Sequence, residues 1–269
     1  MLAGKVEMLL SICIPTFNRE EKVINQIEFV LKEVKGKYND VEIIVRDNGS
    51  AQGIYQKIKE KFENEEIHIY KNNINKGLVG NLKCLNMDAS GKYVWFIGDD
   101  DHLHQGIVEK VYNKLKSGKG LVFINHRAIS LKGDIVLKSA FIPNVHKTIH
   151  EIFRFSGTTM MFIAACIYDK RFLNDIFDRE DTRLSLPLLA SFYCYEKGGV
   201  EFVNEILIDN VWGDTSWSDS AIEVFGHGVP LELLKCLKLA SNKFDVFMSI
   251  LTYIKINYKF ILKFRFKGK

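Results

Sequence analysis

Three consecutive aspartates follow a short aromatic run, and they are the residues best suited to chemistry. Asp99, Asp100 and Asp101 come directly after the apolar residues 93–97. Three adjacent carboxylates repel one another, and a cation that neutralised them would favour their charged form. Carboxylate oxygens suit Mg²⁺ or Mn²⁺ better than zinc. The cluster therefore predicts a divalent metal site; the alternative, an acidic cap on the next helix, needs only one aspartate.

A fourth carboxylate, Asp47, follows another apolar run at residues 41–45. The sequence from Asp47 to Ser50, Asp-Asn-Gly-Ser, is also a favourable turn. The Asp47 carboxylate could accept a hydrogen bond from a nucleotide base or ribose, or it could serve the turn alone. The residues do not decide between these two interpretations.

The elements that position these carboxylates alternate between strands and helices. Such alternation predicts parallel pairing with right-handed crossovers, and so an open α/β sheet covered on both faces. Ligands of such sheets bind at the carboxyl ends of the strands. The predicted strands are 9–14, 41–45, 67–70, 93–97 and 121–125, and the predicted helices are 19–34, 54–62, 78–87 and 106–115.

The second half of the chain has a less regular pattern. It predicts a strand at 160–168, a helix at 183–195 interrupted by Pro187, a strand at 200–208 and a loop at 212–228.

Composition and charge exclude several classes of protein. The chain has 269 residues, 47% of them hydrophobic, which suits one large α/β domain with or without a small appendage. The five cysteines form no Cys-x-x-Cys pair, which predicts reduced thiols and a cytoplasmic protein. Residues 230–269 carry nine basic and two acidic side chains, a net of +7, so the total of +4 leaves −3 for residues 1–229. A slightly acidic body argues against nucleic acid as a partner.

Three segments together resemble family-2 glycosyltransferases of the GT-A fold. They are Ser-Ile-Cys-Ile-Pro-Thr-Phe-Asn-Arg at 11–19, Val-Glu-Ile-Ile-Val-Arg-Asp-Asn-Gly-Ser at 41–50, and residues 72–101, which end in the aspartate cluster. The resemblance covers residues 9–125 and extends more weakly to residue 208. It implies a metal-dependent, inverting transfer of sugar from a nucleotide diphosphate sugar, in the first place a UDP-sugar, to a bacterial-type surface glycan of the polysaccharide, O-antigen or capsule kind.

The resemblance also implies roles for individual residues. Asp47 would contact the uracil ring, and Asp101 would bind Mn²⁺ or Mg²⁺ directly. Because the register among three adjacent aspartates is uncertain by one residue, Asp100 is the alternative metal ligand. The residues implied to lie along the nucleotide are Pro15, Thr16, Asn18, Arg19, Asp47, Asn75, Lys76, Asp99 and Asp100.

Inverting members of the family need a general base, and the resemblance places it in Glu180-Asp181-Thr182-Arg183-Leu184. Asp181 is the predicted base, with Glu180 beside it. The missing glycine before Glu180 and the proline in the following helix depart from the family pattern, so Asp178 or Asp175 could take the role. An ordinary acid-rich helix start is the alternative.

Aromatic and histidine side chains add weaker candidates. Trp212 and Trp217 lie at 209–219, where relatives place a closing loop, and could stack on sugar rings or simply pack. His102 and His104 follow the aspartate cluster and could touch the site. His227 is the nearest histidine to one that many members of the family place in this region.

The last forty residues predict a basic amphipathic helix. Apolar residues of 247–262 follow helical spacing, while Lys255, Lys259 and Lys263 repeat every fourth residue. Such a helix could lie on an anionic membrane, where each cation contributes on the order of 1 kcal/mol, or pack on the body or in an oligomer. A polyprenyl-diphosphate-linked acceptor would explain it. The predicted units are a GT-A domain at 1–228, with a nucleotide half at 9–125 and an acceptor half at 126–228, and a tail at 229–269.

Two other functions stay open on the sequence alone. The protein could be a catalytically silent GT-A-fold subunit that recruits glycan or membrane partners. A nucleotidyltransferase would need a glycine-rich, arginine-containing loop after its first strand, and residues 15–19 do not provide one. No apolar run is long enough to span a bilayer and no signal peptide is evident. We therefore expect a cytoplasmic protein, peripheral to the inner face of the cell membrane.

Overall fold

The computed structural model describes residues 7–51, 53–179, 183–212 and 220–267. Within these residues the strands form one sheet in the order β3-β2-β1-β4-β8-β6-β9-β5, with β7 paired to β6. The strands are β1 (Leu10–Thr16), β2 (Val41–Asp47), β3 (His68–Lys71), β4 (Tyr93–Phe96), β5 (His102–Leu103), β6 (Leu121–Ser130), β7 (Ile135–Leu137), β8 (Cys166–Asp169) and β9 (Val200–Trp212).

The predicted α/β sheet is confirmed, and its first four strands are parallel. β3, β2, β1 and β4 pair in the same direction, so the carboxyl ends of β1, β2 and β4 meet at one edge. β8 lies antiparallel between β4 and β6, while β6 and β9 are again parallel.

Helices cover both faces of the sheet. Side chains that alternate along each strand fall into two buried clusters: Ile12 and Trp95 belong to one, and Cys13 and Phe96 to the other. The helices are α1 (Glu20–Val34), α2 (Ile54–Lys61), α3 (Gly77–Asp88), α4 (Ile107–Leu115), α5 (Ile149–Ser156), α6 (Lys170–Arg179), α7 (Leu186–Gly198), α8 (Ala221–Glu223), α9 (Val229–Leu239) and α10 (Lys243–Lys267).

Three predictions for the second half of the chain were wrong in detail. The expected strand at 160–168 is strand only over β8, and Gly157–Met161 and Ile163–Ala165 are short 3₁₀ turns. Those turns are buried, so their apolar composition resembles that of a buried strand. Pro187 does not interrupt a helix but occupies the first turn of α7, where its missing N–H costs nothing. Within the expected loop at 212–228, residues 221–228 are helical.

The predicted C-terminal helix at 247–262 is confirmed as part of α10. Its residues Val246 and Tyr253 are buried in the same cluster as the helices that cover the sheet. In the described part of the chain, no helix is both long and apolar enough to cross a membrane.

Candidate active site

The predicted nucleotide-binding residues converge where β1, β2 and β4 end. Thr16 is the last residue of β1, and it lies beside Asp47, the last residue of β2. Asp99 follows β4 by three residues. Pro15, also predicted at this site, lies buried in β1 beyond the last pair that β1 makes with β4. The sheet topology thus brings distant parts of the sequence to one edge.

Two aspartates of the cluster are held by residues from the end of β1. Thr16 Oγ1 donates to Asp99 Oδ2 over 2.7 Å, and Arg19 Nη1 lies 2.9 Å from Asp99 Oδ1 and 2.6 Å from Asp100 Oδ2. Lys22 Nζ adds a second cation 3.6 Å from the same Asp100 oxygen. The sequence did not single out Lys22, although it lies one helical turn after Arg19.

The electrostatics of the cluster reflect its enclosure. Burial raises the pKa of Asp99, against the hydrogen bonds from Thr16 and Arg19 that lower it. Burial acts to lower the pKa of Arg19, but its hydrogen bonds and ion pairs with Asp99 and Asp100 outweigh this and raise it. Burial, helped by the two neighbouring negative charges and opposed by the Gly98 N–H, raises the pKa of Asp101 to about 7. Burial is therefore the main cause of the raised pKa values of both Asp99 and Asp101.

Asp47 has one satisfied and one free carboxylate oxygen. Its Oδ1 accepts from the backbone N–H of Ser50 at 3.1 Å and from the Ser50 hydroxyl. Its Oδ2 is buried and has no hydrogen-bond partner among the described residues. A buried acceptor without a partner is costly, so this oxygen is suited to a donor group of a ligand. Both interpretations of Asp47, turn and ligand contact, are compatible with this geometry.

An amide cluster supports the loops around Asp47. Asn48 is its centre: Nδ2 donates to Asn75 Oδ1 at 2.8 Å and to the Gly77 carbonyl at 3.1 Å. Its Oδ1 accepts from Asn72 Nδ2 at 2.9 Å and from the Lys76 N–H at 3.0 Å. Asn75 and Lys76, predicted to flank the nucleotide, are exposed and anchored here. Asn48 itself was missed, because its type fits an ordinary turn.

Asn18 connects the first two loops of the site. It has a left-handed backbone with φ 55°. Its N–H donates to Ser50 Oγ at 2.8 Å, and its Oδ1 accepts from the Ala51 N–H at 2.8 Å. Asn18 therefore ties the end of β1 to the turn after Asp47.

A second charged group anchors the strand that follows the aspartate cluster. Asp209 on β9 pairs with Arg127 through Nε at 2.5 Å and Nη2 at 2.8 Å, and with His104 Nε2 at 3.2 Å. The hydrogen bond from Arg127 is the main cause that lowers the pKa of Asp209. His102 pairs with Asp209 through the short strand β5. The sequence did not predict this group, because Arg127, His104 and Asp209 lie far apart along the chain.

The carboxylates of the cluster fit a divalent cation in part. Asp100 and Asp101 offer hard oxygen donors, and a bound cation would oppose the burial and the neighbouring negative charges that raise the pKa of Asp101. Among the described residues, no three His, Cys, Asp or Glu side chains are grouped to hold a metal ion. The protein would therefore supply two ligands, and water and a phosphorylated ligand would supply the others.

The predicted base is not part of the described structure. Asp181 and Glu180 lie outside the described residues, as does Trp217. Of the alternative bases, Asp178 is exposed on α6, and Asp175 Oδ2 accepts from the Tyr193 hydroxyl at 2.9 Å.

Two further candidates from the sequence lie in the C-terminal part of the structure. Trp212 is half exposed at the end of β9. His227 stacks on Phe264, with ring centroids 4.6 Å apart, and its Nδ1 lies 3.2 Å from Arg183 Nη1. His227 is therefore held between the C-terminal helix and the segment that follows the predicted base.

The sequence model of the family described as glycosyl transferase family 2 matches residues 11–177, more than half of the chain. The chain belongs to glycosyl transferase family 2. The match includes the ends of β1, β2 and β4 and the aspartate cluster, which are the parts of the site described above.

Three curated relatives of this family-2 chain come from bacteria. It is 28% identical over 203 residues to a Campylobacter jejuni GalNAc(5)-diNAcBac-PP-undecaprenol beta-1,3-glucosyltransferase, covering 70% of this chain and 62% of that protein. It is 24% identical over 217 residues to the Escherichia coli UDP-Glc:alpha-D-GlcNAc-diphosphoundecaprenol beta-1,3-glucosyltransferase WfaP, covering 79% and 80%. It spans 40% of the Staphylococcus aureus poly(ribitol-phosphate) beta-N-acetylglucosaminyltransferase TarP at 30% identity, over 49% of its own length.

Solved structures share the fold of this family-2 chain. Residues 1–349 of S. aureus TarS in complex with UDP-GlcNAc superpose with a TM-score of 0.72 at 18% identity, over 92% of this chain and 72% of that one. A Pyrobaculum calidifontis mannosyltransferase in complex with GDP-Man and Mn²⁺ gives 0.61 at 12% identity, over 91% and 73%. At these identities the likeness concerns the fold alone.

Proposed function

We propose that this protein is an inverting, metal-dependent glycosyltransferase. It transfers a sugar from a nucleotide diphosphate sugar, a UDP-sugar, to a surface-glycan acceptor carried on polyprenyl diphosphate. The observation that carries the proposal is a convergence at one edge of the sheet. The buried Asp47 Oδ2, which has no hydrogen-bond partner within the described residues, lies at the same edge as the cluster of Thr16, Arg19 and Asp99. That edge is where ligands of open α/β sheets bind.

The nucleotide is the part of the donor for which the site offers most support. A uracil ring carries an N–H group that can donate a hydrogen bond to Asp47 Oδ2. That hydrogen bond would give the buried carboxylate oxygen a partner. The amide cluster around Asn48 fixes the neighbouring loop before the ligand arrives, so little ordering is needed on binding. TarS, which has the same fold, has been solved with UDP-GlcNAc and with UDP.

Positive charge is needed where the nucleoside diphosphate departs. In this proposal Asp101 and Asp100 would hold Mn²⁺ or Mg²⁺, which would supply positive charge for the leaving diphosphate. Arg19 and Lys22 provide two further cations beside Asp100. If Asp100 turns to the metal, Arg19 keeps Asp99 as its partner, so the cluster stays paired.

The reaction is a direct displacement at the anomeric carbon. The acceptor hydroxyl oxygen forms a bond to that carbon while the bond from the carbon to the diphosphate oxygen breaks, and the nucleoside diphosphate leaves. The acceptor proton passes to the Asp181 carboxylate. Because attack occurs opposite the leaving group, the configuration at the anomeric carbon inverts.

The acceptor and the location are proposed from the relatives. The C. jejuni and E. coli proteins are named for acceptors carried on undecaprenol through a diphosphate. A lipid-linked acceptor of this class would place the enzyme in the cytoplasm, at the inner face of the cell membrane.

Calorimetric titration tests the donor site. UDP, GDP and dTDP are titrated into the purified protein with Mn²⁺ or with chelator, and the titrations are repeated with Asp101→Ala. We expect UDP to bind most tightly, with metal, and the substitution to abolish the metal effect. Asp134→Ala, which removes an exposed aspartate of the β6–β7 turn, is the matched control and should bind normally.

Two outcomes would contradict the proposal. Absence of nucleotide binding under all conditions would remove the donor site. Nucleotide binding without sugar transfer to any polyprenyl-linked acceptor, by a protein with Asp181 intact, would favour the catalytically silent subunit instead.

A further inference from the structure

The C-terminal helix α10 presents an apolar stripe away from the body of the protein. Its inner face packs through Val246, Ser249 and Tyr253, which are buried. Its outer face carries six half-exposed or exposed apolar side chains, spaced three or four residues apart along a straight helical stripe. These six residues, which we call the outer stripe, are Phe244, Phe247, Leu251, Ile254, Tyr258 and Leu262.

A row of lysines borders the outer stripe on one side. Lys255, Lys259 and Lys263 each follow a stripe residue by one position, which places them about 100° further around the helix. All three are exposed, and within the described residues none has a carboxylate partner. α10 contains six basic residues and one acidic residue, a net of +5.

We infer that the outer stripe and its lysine row form a docking surface for an anionic lipid bilayer. An apolar face edged by cations buries its apolar side chains at the acyl boundary and places its cations at the headgroups. The stripe extends over 19 residues, 244–262, or roughly 27 Å of helix, which suits a helix lying in the membrane plane. None of the described helices is long and apolar enough to cross a membrane, so we infer a contact at the membrane surface.

Charge argues for lipid over a second copy of the chain. An antiparallel pairing of two outer stripes would bring two lysine rows of the same sign together, and a parallel pairing would leave each row without a counter-charge. A surface of anionic headgroups provides that complement along the whole row.

The placement of α10 also relates the bilayer to the proposed acceptor side. Near its C-terminal end, Phe260 and Phe264 lie against Gly226, where an added Cβ would be 2.6 Å from each of them. Phe264 stacks on His227, which contacts Arg183, two residues after Asp181. A lipid-bound α10 would thus lie beside the segment that follows the proposed base. This step rests on the proposed function, whereas docking itself does not.

Vesicle co-sedimentation tests the docking surface. The full chain is mixed with phosphatidylcholine vesicles with and without phosphatidylglycerol. We expect binding only to the anionic vesicles, with an affinity that falls as salt is added. Each cation at such a surface strengthens binding roughly five-fold, so Lys255→Glu, Lys259→Glu and Lys263→Glu together should weaken it by about a hundred-fold or more. The control variant replaces three exposed lysines elsewhere with glutamate, at Lys37, Lys59 and Lys132. It should bind the anionic vesicles more tightly than the variant that carries the three substitutions beside the outer stripe.

Two measurements locate the contact on the outer stripe. The fluorescence of Leu251→Trp should shift to the blue on anionic vesicles, and that of Met87→Trp, exposed on α3, should not. Leu251→Ser with Ile254→Ser should lose vesicle binding while circular dichroism and UDP titration stay unchanged, because the packed face of α10 is untouched. Intact UDP binding separates failure of this inference from failure of the proposed function.

Three results would overturn the inference. Equal weakening by the two lysine triplets would mean that net charge alone governs binding. A blue shift at Met87→Trp but not at Leu251→Trp would place the contact elsewhere. A dimer in light scattering that becomes a monomer on Leu251→Ser with Ile254→Ser would assign the stripe to a second copy of the chain.

Discussion

Asn48 Nδ2 donates to Asn75 Oδ1 across 2.8 Å, which joins two loops that are 27 residues apart in sequence. Asn48 is almost fully buried in the turn after β2, whereas Asn75 is exposed just before α3. The second loop is therefore held in place by a side chain of the first, and a ligand that contacts Asp47 meets a surface already formed.

Asn48→Ala should loosen this surface. The substitution removes the acceptor of the Lys76 N–H and one of the two acceptors of the Asn72 amide, which keeps its hydrogen bond to Asn81 Oδ1. A buried polar group that loses a partner costs about 1–3 kcal/mol. We expect the free energy of unfolding in urea to fall by about 2 kcal/mol and UDP affinity to fall as well. Asn73→Ala, at an exposed position in the same loop, is the control and should change neither. Equal behaviour of the two variants would show that the amide cluster is not supporting the loop.

Asp47→Asn should separate ligand binding from stability. The amide oxygen can still accept from Ser50, and the buried charge is gone, so the free energy of unfolding should stay within about 1 kcal/mol or rise. A hydrogen bond to a charged group contributes about 1.5–3 kcal/mol, so UDP affinity should fall roughly ten- to hundred-fold. Thermal unfolding and calorimetry on the same samples measure both. Unchanged UDP affinity would leave Asp47 as a turn residue only.

The parallel part of the fold could be predicted because its signals are local. Buried β-branched runs and amphipathic helices located β1, β2, β4 and α1 to within two residues of their observed ends. The strand expected at 160–168 failed because a buried 3₁₀ turn and a buried strand have the same apolar composition. Trp95 Nε1 donates to the Ala164 carbonyl, a tertiary contact that helps to hold this segment and that no local pattern contains.

The site could be predicted only where its residues follow a strand in sequence. Thr16 ends β1 and Asp99 comes just after β4, and the structure places Thr16 Oγ1 2.7 Å from Asp99 Oδ2. Asp209 and Arg127 lie within long strands, 82 residues apart, so no spacing rule connects them. Asn48 was hidden for a different reason, because turn chemistry explained its type completely.

Gly49→Ala should disrupt the same loop through the backbone. Gly49 has φ +79°, and an added Cβ would lie 2.8 Å from the Ile74 backbone carbon. Gly36 has a similar φ of +72° but no atom within 4 Å of the added Cβ, so Gly36→Ala carries the backbone strain alone, about 1 kcal/mol. We expect Gly49→Ala to lower the free energy of unfolding in urea by at least about 2 kcal/mol more than Gly36→Ala does. Gly49→Ala should also lose UDP binding. A loss equal to that of Gly36→Ala would mean that the two loops separate easily.

His126→Leu should change how stability depends on pH. His126 is fully buried on β6 between Phe123 and Phe162, and burial lowers its pKa from 6.5 to about 4. Between these two pH values the unfolded chain binds a proton that the folded chain does not. The free energy of unfolding must therefore decrease as the pH falls from about 6.5 to about 4, by up to about 3 kcal/mol from this residue.

Urea unfolding at a series of pH values measures the effect of His126→Leu as a difference from the unaltered protein. His150 also has a pKa lowered by burial, but it is present in both proteins and its contribution cancels. The free energy of unfolding of the leucine variant, relative to that of the unaltered protein, should grow as the pH falls below about 6.5. The difference should level off near pH 4, below which the folded protein also takes up the proton. Parallel stability curves for the two proteins across this range would show that folding does not lower the pKa of His126, and so that the β6 interior is open to water.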